Sequence, residues 1–185
     1  MWPWGHAAVG YLLYTLYLRA HADVHPTARP TFALLVGTQF PDLVDKPLAW
    51  DLALLPGGRA VAHSLLVLVP VCTAVIVLAR RAGQGTVGTA FASGALSHTF
   101  VDALPSLLRG EFIYATYLFW PVLPYPPFEG STSIVAHFLA AEVTPYMGLQ
   151  FLLAGIALVA WWADGRPGLL ALRRGVRRRW HDARN

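Results

Sequence analysis

Six apolar segments of helical length make up half of this chain and decide what it can become. They run from about His6 to Leu18, Thr31 to Pro41, His63 to Ala79, Thr86 to Leu108, Phe112 to Leu123 and Met147 to Trp162. A helix needs about 20 apolar residues to cross a bilayer. Several of these segments are shorter, so tilted half-spans buried against their neighbours are expected. The fourth opens with small residues (Gly88, Ala90, Ala92, Ser93, Gly94, Ala95), which favour close helix approach. The fifth is aromatic and bounded by proline, and reads as interfacial or re-entrant. The sixth ends in Trp161-Trp162, a membrane-interface signal. Charged residues are 13% of the chain, against roughly 25% in soluble domains. Too little charge is present to cover a soluble surface. The expected fold is all-α, a polytopic transmembrane helical bundle with short and re-entrant segments.

The few charges orient the bundle. Arg19 and Arg29 flank the first loop, Arg80 and Arg81 close the third segment, and a basic tail follows the sixth. The tail holds Arg166, Arg173, Arg174, Arg177, Arg178, Arg179 and Arg184. All three groups fall on the cytoplasmic side if the fifth segment does not span. Residues 1–165 then form a membrane-embedded domain and 166–185 a cytoplasmic tail. Beside an apolar helix, such a tail reads as an anchor to anionic lipid, and no nucleic-acid partner is expected. Cys72 is the only cysteine, which excludes a disulfide framework and a Cys-rich zinc site. The first apolar run has Arg19 after it and no basic residue before it, the reverse of a signal peptide, so it reads as retained.

On this topology the ionisable residues converge in depth. At 1.5 Å per residue, His98 lies roughly 18 Å above the Arg80-Arg81 loop, Asp42 roughly 16 Å, His6 roughly 20 Å and His63 roughly 24 Å above the inner ends of their helices. Asp102 follows His98 at i+4, on the same helical face. An isolated ionisable group in lipid costs on the order of 3 kcal/mol or more. Five at one level are tolerable if they meet. Imidazole with carboxylate is a ligand set for zinc and other divalent metals. Each residue alone has a plainer reading. A single His can hydrogen-bond between helices, Asp42 can cap a following segment, and His6 can be interfacial beside Trp2 and Trp4. His21, His25 and His181 lie beside Arg in loop or tail and receive no role. His137 and Glu142, spaced i, i+5, fall on different faces.

These residues carry a family resemblance. The chain resembles the membrane-bound metal-dependent hydrolases, the group that includes a LexA-regulated inner-membrane hydrolase of enteric bacteria. That pattern is an early His, then Gly-x-x-x-Pro-Asp-x-Asp, an Arg-containing segment ending in Thr-His-Ser, and Gly-x-x-x-His-x-x-x-Asp. Here it reads Gly5-His6, Gly37 to Pro41-Asp42, Arg59 to His63-Ser64, and Gly94 to His98 and Asp102, with Phe119-Trp120-Pro121 also fitting. The match covers roughly residues 4–125. The resemblance implies metal-binding roles for His6, Asp42, His63, His98 and Asp102. The ligand pattern is also similar to that of zinc-dependent phospholipase C, which points by analogy to phosphoester chemistry. Two positions depart: Val44 replaces the second acid of Pro-Asp-x-Asp, with Asp45 displaced by one, and Gly58 stands where the family often has His.

The expected function is metal-dependent hydrolysis, with a divalent metal, zinc by preference, and a phosphoester or a lipid-like molecule as substrate. Asp45 or Glu129 would take the proton from water, and Arg59 or Arg109 would hold an anionic group. The alternative is a non-enzymatic metal site serving transport or a scaffold. A transporter needs polar residues continuing to the inner face, where the fourth helix offers only Ser93 and the third Thr73.

Overall fold

The computed structural model describes residues 1–22, 24–127, 133–139 and 141–169. Every regular element among them is helical. The α-helices are α1 (Pro3–Ala22), α2 (Ala28–Lys46), α3 (Leu65–Arg81), α4 (Gly85–Leu108), α5 (Ile134–Leu139) and α6 (Pro145–Ala163). A π-helical turn, Pro47–Asp51, continues α2, and a 3-10 helix, Phe112–Phe119, follows α4. Two starts are set by local chemistry. Ser64 is extended and its hydroxyl accepts from the Leu66 amide at 3.2 Å, capping α3. Thr144 accepts from the Met147 amide at 3.1 Å, with Pro145 in the first turn of α6.

The second apolar segment is longer than its sequence pattern. It does not stop at Pro41-Asp42 but runs on to Lys46. Pro41 forfeits one backbone hydrogen bond, and packing against α4 holds the helix together around it. That contact is backbone to backbone. A Cβ on Gly37 would strike the Phe91 carbonyl oxygen, and one on Gly94 would strike the Leu34 carbonyl oxygen. The small residues of α4 therefore let α2 sit directly on its backbone, as their composition implied. Packing of α3 against α4, and of α1 between α2 and α6, completes the bundle. The fifth segment is a single short 3-10 helix, in line with a non-spanning element.

Polar and apolar residues are distributed inside out. His6, Thr38, Asp45, His63, His98, Thr99 and Gln150 are fully buried. Leu13 and Leu16 on α1, Val69 and Leu78 on α3, Leu104 on α4, and Leu152, Ile156 and Val159 on α6 are exposed. Such a surface would be a liability in water and is at home in lipid. Among the described residues α6 is the helix long and apolar enough to cross a membrane. The basic tail from residue 170 lies outside the described residues. Arg166 does not, and its guanidinium stacks over Trp162 at 4.3 Å.

One polar cluster closes the opposite end of the bundle. Asp164, just past α6, accepts from Arg19 Nη2 (2.6 Å), Tyr11 Oη (2.7 Å) and Thr15 Oγ1 (2.8 Å), with His25 Nδ1 at 3.1 Å. Four groups from α1 and the loop after it thus clasp the end of α6, and His25 gains a structural role that its loop setting did not suggest. Burial pushes the Asp164 carboxyl up, but the hydrogen bonds from Arg19, Tyr11, Thr15 and His25 outweigh it and hold it at about 2. A carboxyl held below its ordinary value of about 4 adds stability that is present above that pH and lost as pH falls toward 2. Asp164→Asn is therefore expected to cost about 1–2 kcal/mol at neutral pH, after allowance for the exposed partners. In detergent this corresponds to a Tm lower by roughly 2–8 °C. The difference from wild type should shrink as the pH drops toward 2. A Tm gap that is constant with pH would contradict the clasp.

Candidate metal centre

Four parts of the chain deliver the site. His6 comes from the first turns of α1, Asp42 and Asp45 from the last turns of α2, His63 from the residue before the cap of α3, and His98 and Asp102 from one face of α4. All six side chains are buried. The five residues expected to bind metal therefore meet in one place, although the first and last, His6 and Asp102, are 96 residues apart in the chain.

The centre of the cluster is defined by four atoms. His63 Nε2 and His98 Nε2 are 3.1 Å apart. Asp42 Oδ1 lies 3.6 Å from each, and Asp102 Oδ2 lies 4.0 Å from each. Ligands about 2.1 Å from a tetrahedral ion stand about 3.4 Å apart, so these spacings bracket what such an ion needs. His6 stacks on His98 with ring centroids 3.6 Å apart and brings its Nε2 within 3.3 Å of Asp102 Oδ1. Neither His6 ring nitrogen has a hydrogen-bond partner, and neither does Asp42 Oδ1, though all are buried. Buried polar atoms are nearly always satisfied. One His6 nitrogen and Asp42 Oδ1 therefore keep lone pairs that fit the donor set of a divalent cation.

The outer partners set the orientation of both central rings. His98 Nδ1 lies 2.7 Å from the Thr38 carbonyl, which can only accept. His63 Nδ1 lies 2.8 Å from Asp45 Oδ2, also an acceptor. Both rings thus donate from Nδ1, and when neutral both turn an Nε2 lone pair toward the other. Two lone pairs at 3.1 Å, beside an unpartnered carboxylate oxygen, repel unless something positive lies between them. Cations already gather at the rim. Lys46 pairs with Asp42, Arg59 Nε lies 2.8 Å from Asp102 Oδ2, and the Met1 amino group lies 2.6 Å from Asp102 Oδ1.

The remaining candidates fall into place around this core. Asp45 is fully buried, and its oxygens accept from the amides of Ala60, Ala62 and His63 as well as from His63 Nδ1. Arg59 and Arg109 both line an open cavity of about 390 Å³ that has Asp102 in its wall, together with Ser106, Tyr114 and Tyr146. Arg109 also pairs with Glu111 at 2.9 Å. Glu129 lies outside the described residues. Two supporting residues were not expected from the sequence. Tyr117, from the 3-10 helix, is fully buried, with its ring 5.9 Å from that of His63 and the Arg59 guanidinium 5.9 Å from its centroid. Gln150, buried in α6, accepts from the Trp2 amide at 2.8 Å and so holds the start of α1. An amide in an otherwise apolar helix was the visible clue for Gln150, while Tyr117 sits among other aromatics and has none.

No curated protein and no solved structure matches the chain. The family model of the YdjM inner membrane proteins matches residues 1–172, nearly the whole length, and the chain belongs to that family.

Proposed function

We propose that this chain is an integral membrane metal-dependent hydrolase that acts on phosphoesters. Its divalent metal, zinc by ligand chemistry, is held by His6, Asp42, His63, His98 and Asp102. Family membership and the buried His/Asp cluster support this reading. The observation that carries it is the pair of Nε2 atoms 3.1 Å apart with a buried, unpartnered Asp42 oxygen beside them. Nitrogen and carboxylate oxygen in such a set suit zinc, with other divalent ions possible by the same donors. When bound, the ion supplies Lewis acidity and lowers the pKa of water toward neutrality.

The chain's own residues supply the rest. Arg59 and Arg109 line the cavity beside Asp102 and would hold the substrate's anionic group through charge-assisted hydrogen bonds. The histidines are buried, and the cavity with Asp102 in its wall is the approach we assign to substrate. Of the two carboxylates considered for proton transfer, Asp45 spends its oxygens on His63 and three amides, which leaves Glu129. The exposed Leu, Val and Ile side chains of α1, α3, α4 and α6 support a multi-pass arrangement in the cell membrane, with 1–165 embedded and the 166–185 tail cytoplasmic. A site set within such a surface favours an amphiphilic or lipid-like substrate.

Detergent-purified protein tests the reading directly. Metal content is measured first. The protein is then assayed against phosphomonoesters, phosphodiesters and carboxylic esters, each in short-chain and long-chain form. About one ion per chain and phosphoester hydrolysis that a chelator removes are expected. Bound metal with no hydrolysis of any member would sink the enzymatic reading and leave a scaffold.

A further inference from the structure

Asp45 accepts four hydrogen bonds from protein donors while wholly buried. Its side chain is 0% exposed. Oδ2 accepts from the Ala60 amide at 2.8 Å, the His63 amide at 3.2 Å and His63 Nδ1 at 2.8 Å, while Oδ1 accepts from the Ala62 amide at 2.9 Å. One carboxylate on α2 thus fixes both the backbone of the segment leading to α3 and the ring of His63. We propose that Asp45 is the positioning residue of the metal centre: it locks His63 in the Nδ1–H tautomer and aims the Nε2 lone pair at the ion. The inference rests on the metal reading above and assigns Asp45 a role other than proton transfer.

The chemistry follows from donors and acceptors. An imidazole offers a metal only one lone pair, and the nitrogen that donates elsewhere decides which. A carboxylate accepting from the far nitrogen also makes the ligating nitrogen more basic, and losing such a partner typically costs about 10- to 100-fold in metal affinity. His98 shows the contrast within the same site. Its Nδ1 donates to a neutral backbone carbonyl, Thr38, so only His63 has a charged partner behind it. The amides of Ala60 and Ala62 explain why the carboxylate is anchored. They hold it against α3's leading segment, so it cannot swing into the cavity that Arg59 lines.

The test compares wild type with Asp45→Asn and Asp45→Glu, each as full-length protein in detergent. Metal affinity is measured by competition with a zinc chelator, and the visible spectrum is recorded after cobalt substitution. Asp45→Asn should bind zinc about 10- to 100-fold more weakly and shift the cobalt spectrum. Asp45→Glu should recover part of the affinity. A purely structural role would leave the cobalt spectrum unchanged in whatever protein folds. Should Asp45→Asn not fold, nitrogen-15 histidine NMR of loaded wild type reads the same point, with His63 expected to be metal-bound through Nε2 and protonated at Nδ1. Wild-type zinc affinity and spectrum in Asp45→Asn, or ligation through Nδ1, would overturn the assignment while leaving the metal site standing. Failure of wild type itself to bind zinc would overturn both.

Discussion

Replacing His98 by alanine is expected to reduce metal affinity by at least about 100-fold, more than loss of any outer partner, and to take hydrolysis with it. His98 is the hinge of the cluster. Its Nε2 faces His63 Nε2 at 3.1 Å and Asp42 at 3.6 Å, and its ring lies against His6 at 3.6 Å. Both possible ligand triplets, His6 with Asp102 and Asp42 with His63, include it. Alanine also leaves a hole beneath the His6 ring, so His98→Gln serves as a companion that keeps bulk and polarity. Both variants should lose the ion, and both should keep wild-type helix content and elution volume if the ring serves metal rather than folding. The measurement is metal per chain by elemental analysis, alongside hydrolysis of the best phosphoester. Full metal occupancy in folded His98→Ala would remove the site from where it is drawn here.

Gly94→Val should be among the most damaging single changes to the fold. A Cβ at position 94 would meet the Leu34 carbonyl oxygen, the Thr38 amide nitrogen at 2.9 Å and the Gly37 carbonyl carbon at 3.2 Å. All are backbone atoms of α2, which cannot turn aside as a flexible side chain can. Overfilling a packed core costs typically about 1–3 kcal/mol, and here the top of that range or beyond is expected. Against a total stability of about 5–15 kcal/mol, that is enough to lower the yield of folded protein. The same displacement would carry the Thr38 carbonyl away from His98, so metal affinity should fall with stability. Gly148→Ala is the matched control. It sits in α6 with open space around it, and should be neutral or stabilising by up to about 1 kcal/mol. Equal Tm values for Gly94→Val and wild type would show that α2 and α4 do not cross at this point.

The contrast between these glycines shows what can be read from a chain before its structure. The small-residue stripe of α4 was visible, but its partner was not, because nothing local in the sequence marks Gly37 as the facing backbone. The residues that meet in the His/Asp cluster were legible for a simple reason. Each stands out in an apolar setting, and counting residues from the Arg-marked ends places them near one level. Asp45 was harder. Measured from the family's expected position at 44 it looks turned away. Once α2 is seen to continue through Pro41, it falls three residues after Asp42 and on the same face. Proline suggested an end where tertiary packing supports a helix. The Asp164 clasp was not legible at all, since His25 and Asp164 are 139 residues apart and each looks like an ordinary loop residue. Tyr117 came from a 3-10 helix too short to show a periodic pattern.

Ser64 caps α3 immediately after His63, while Asp42 and Asp45 occupy the closing turns of α2. The His/Asp cluster therefore lies between the start of α3 and the last turns of α2, helix ends of opposite dipole sign. The end of α2 favours positive charge nearby and the start of α3 favours negative charge. A chain with so few ionised side chains can in this way add peptide dipoles to the field of Asp42, Asp102, Lys46 and Arg59, in an environment where every further charge would be expensive.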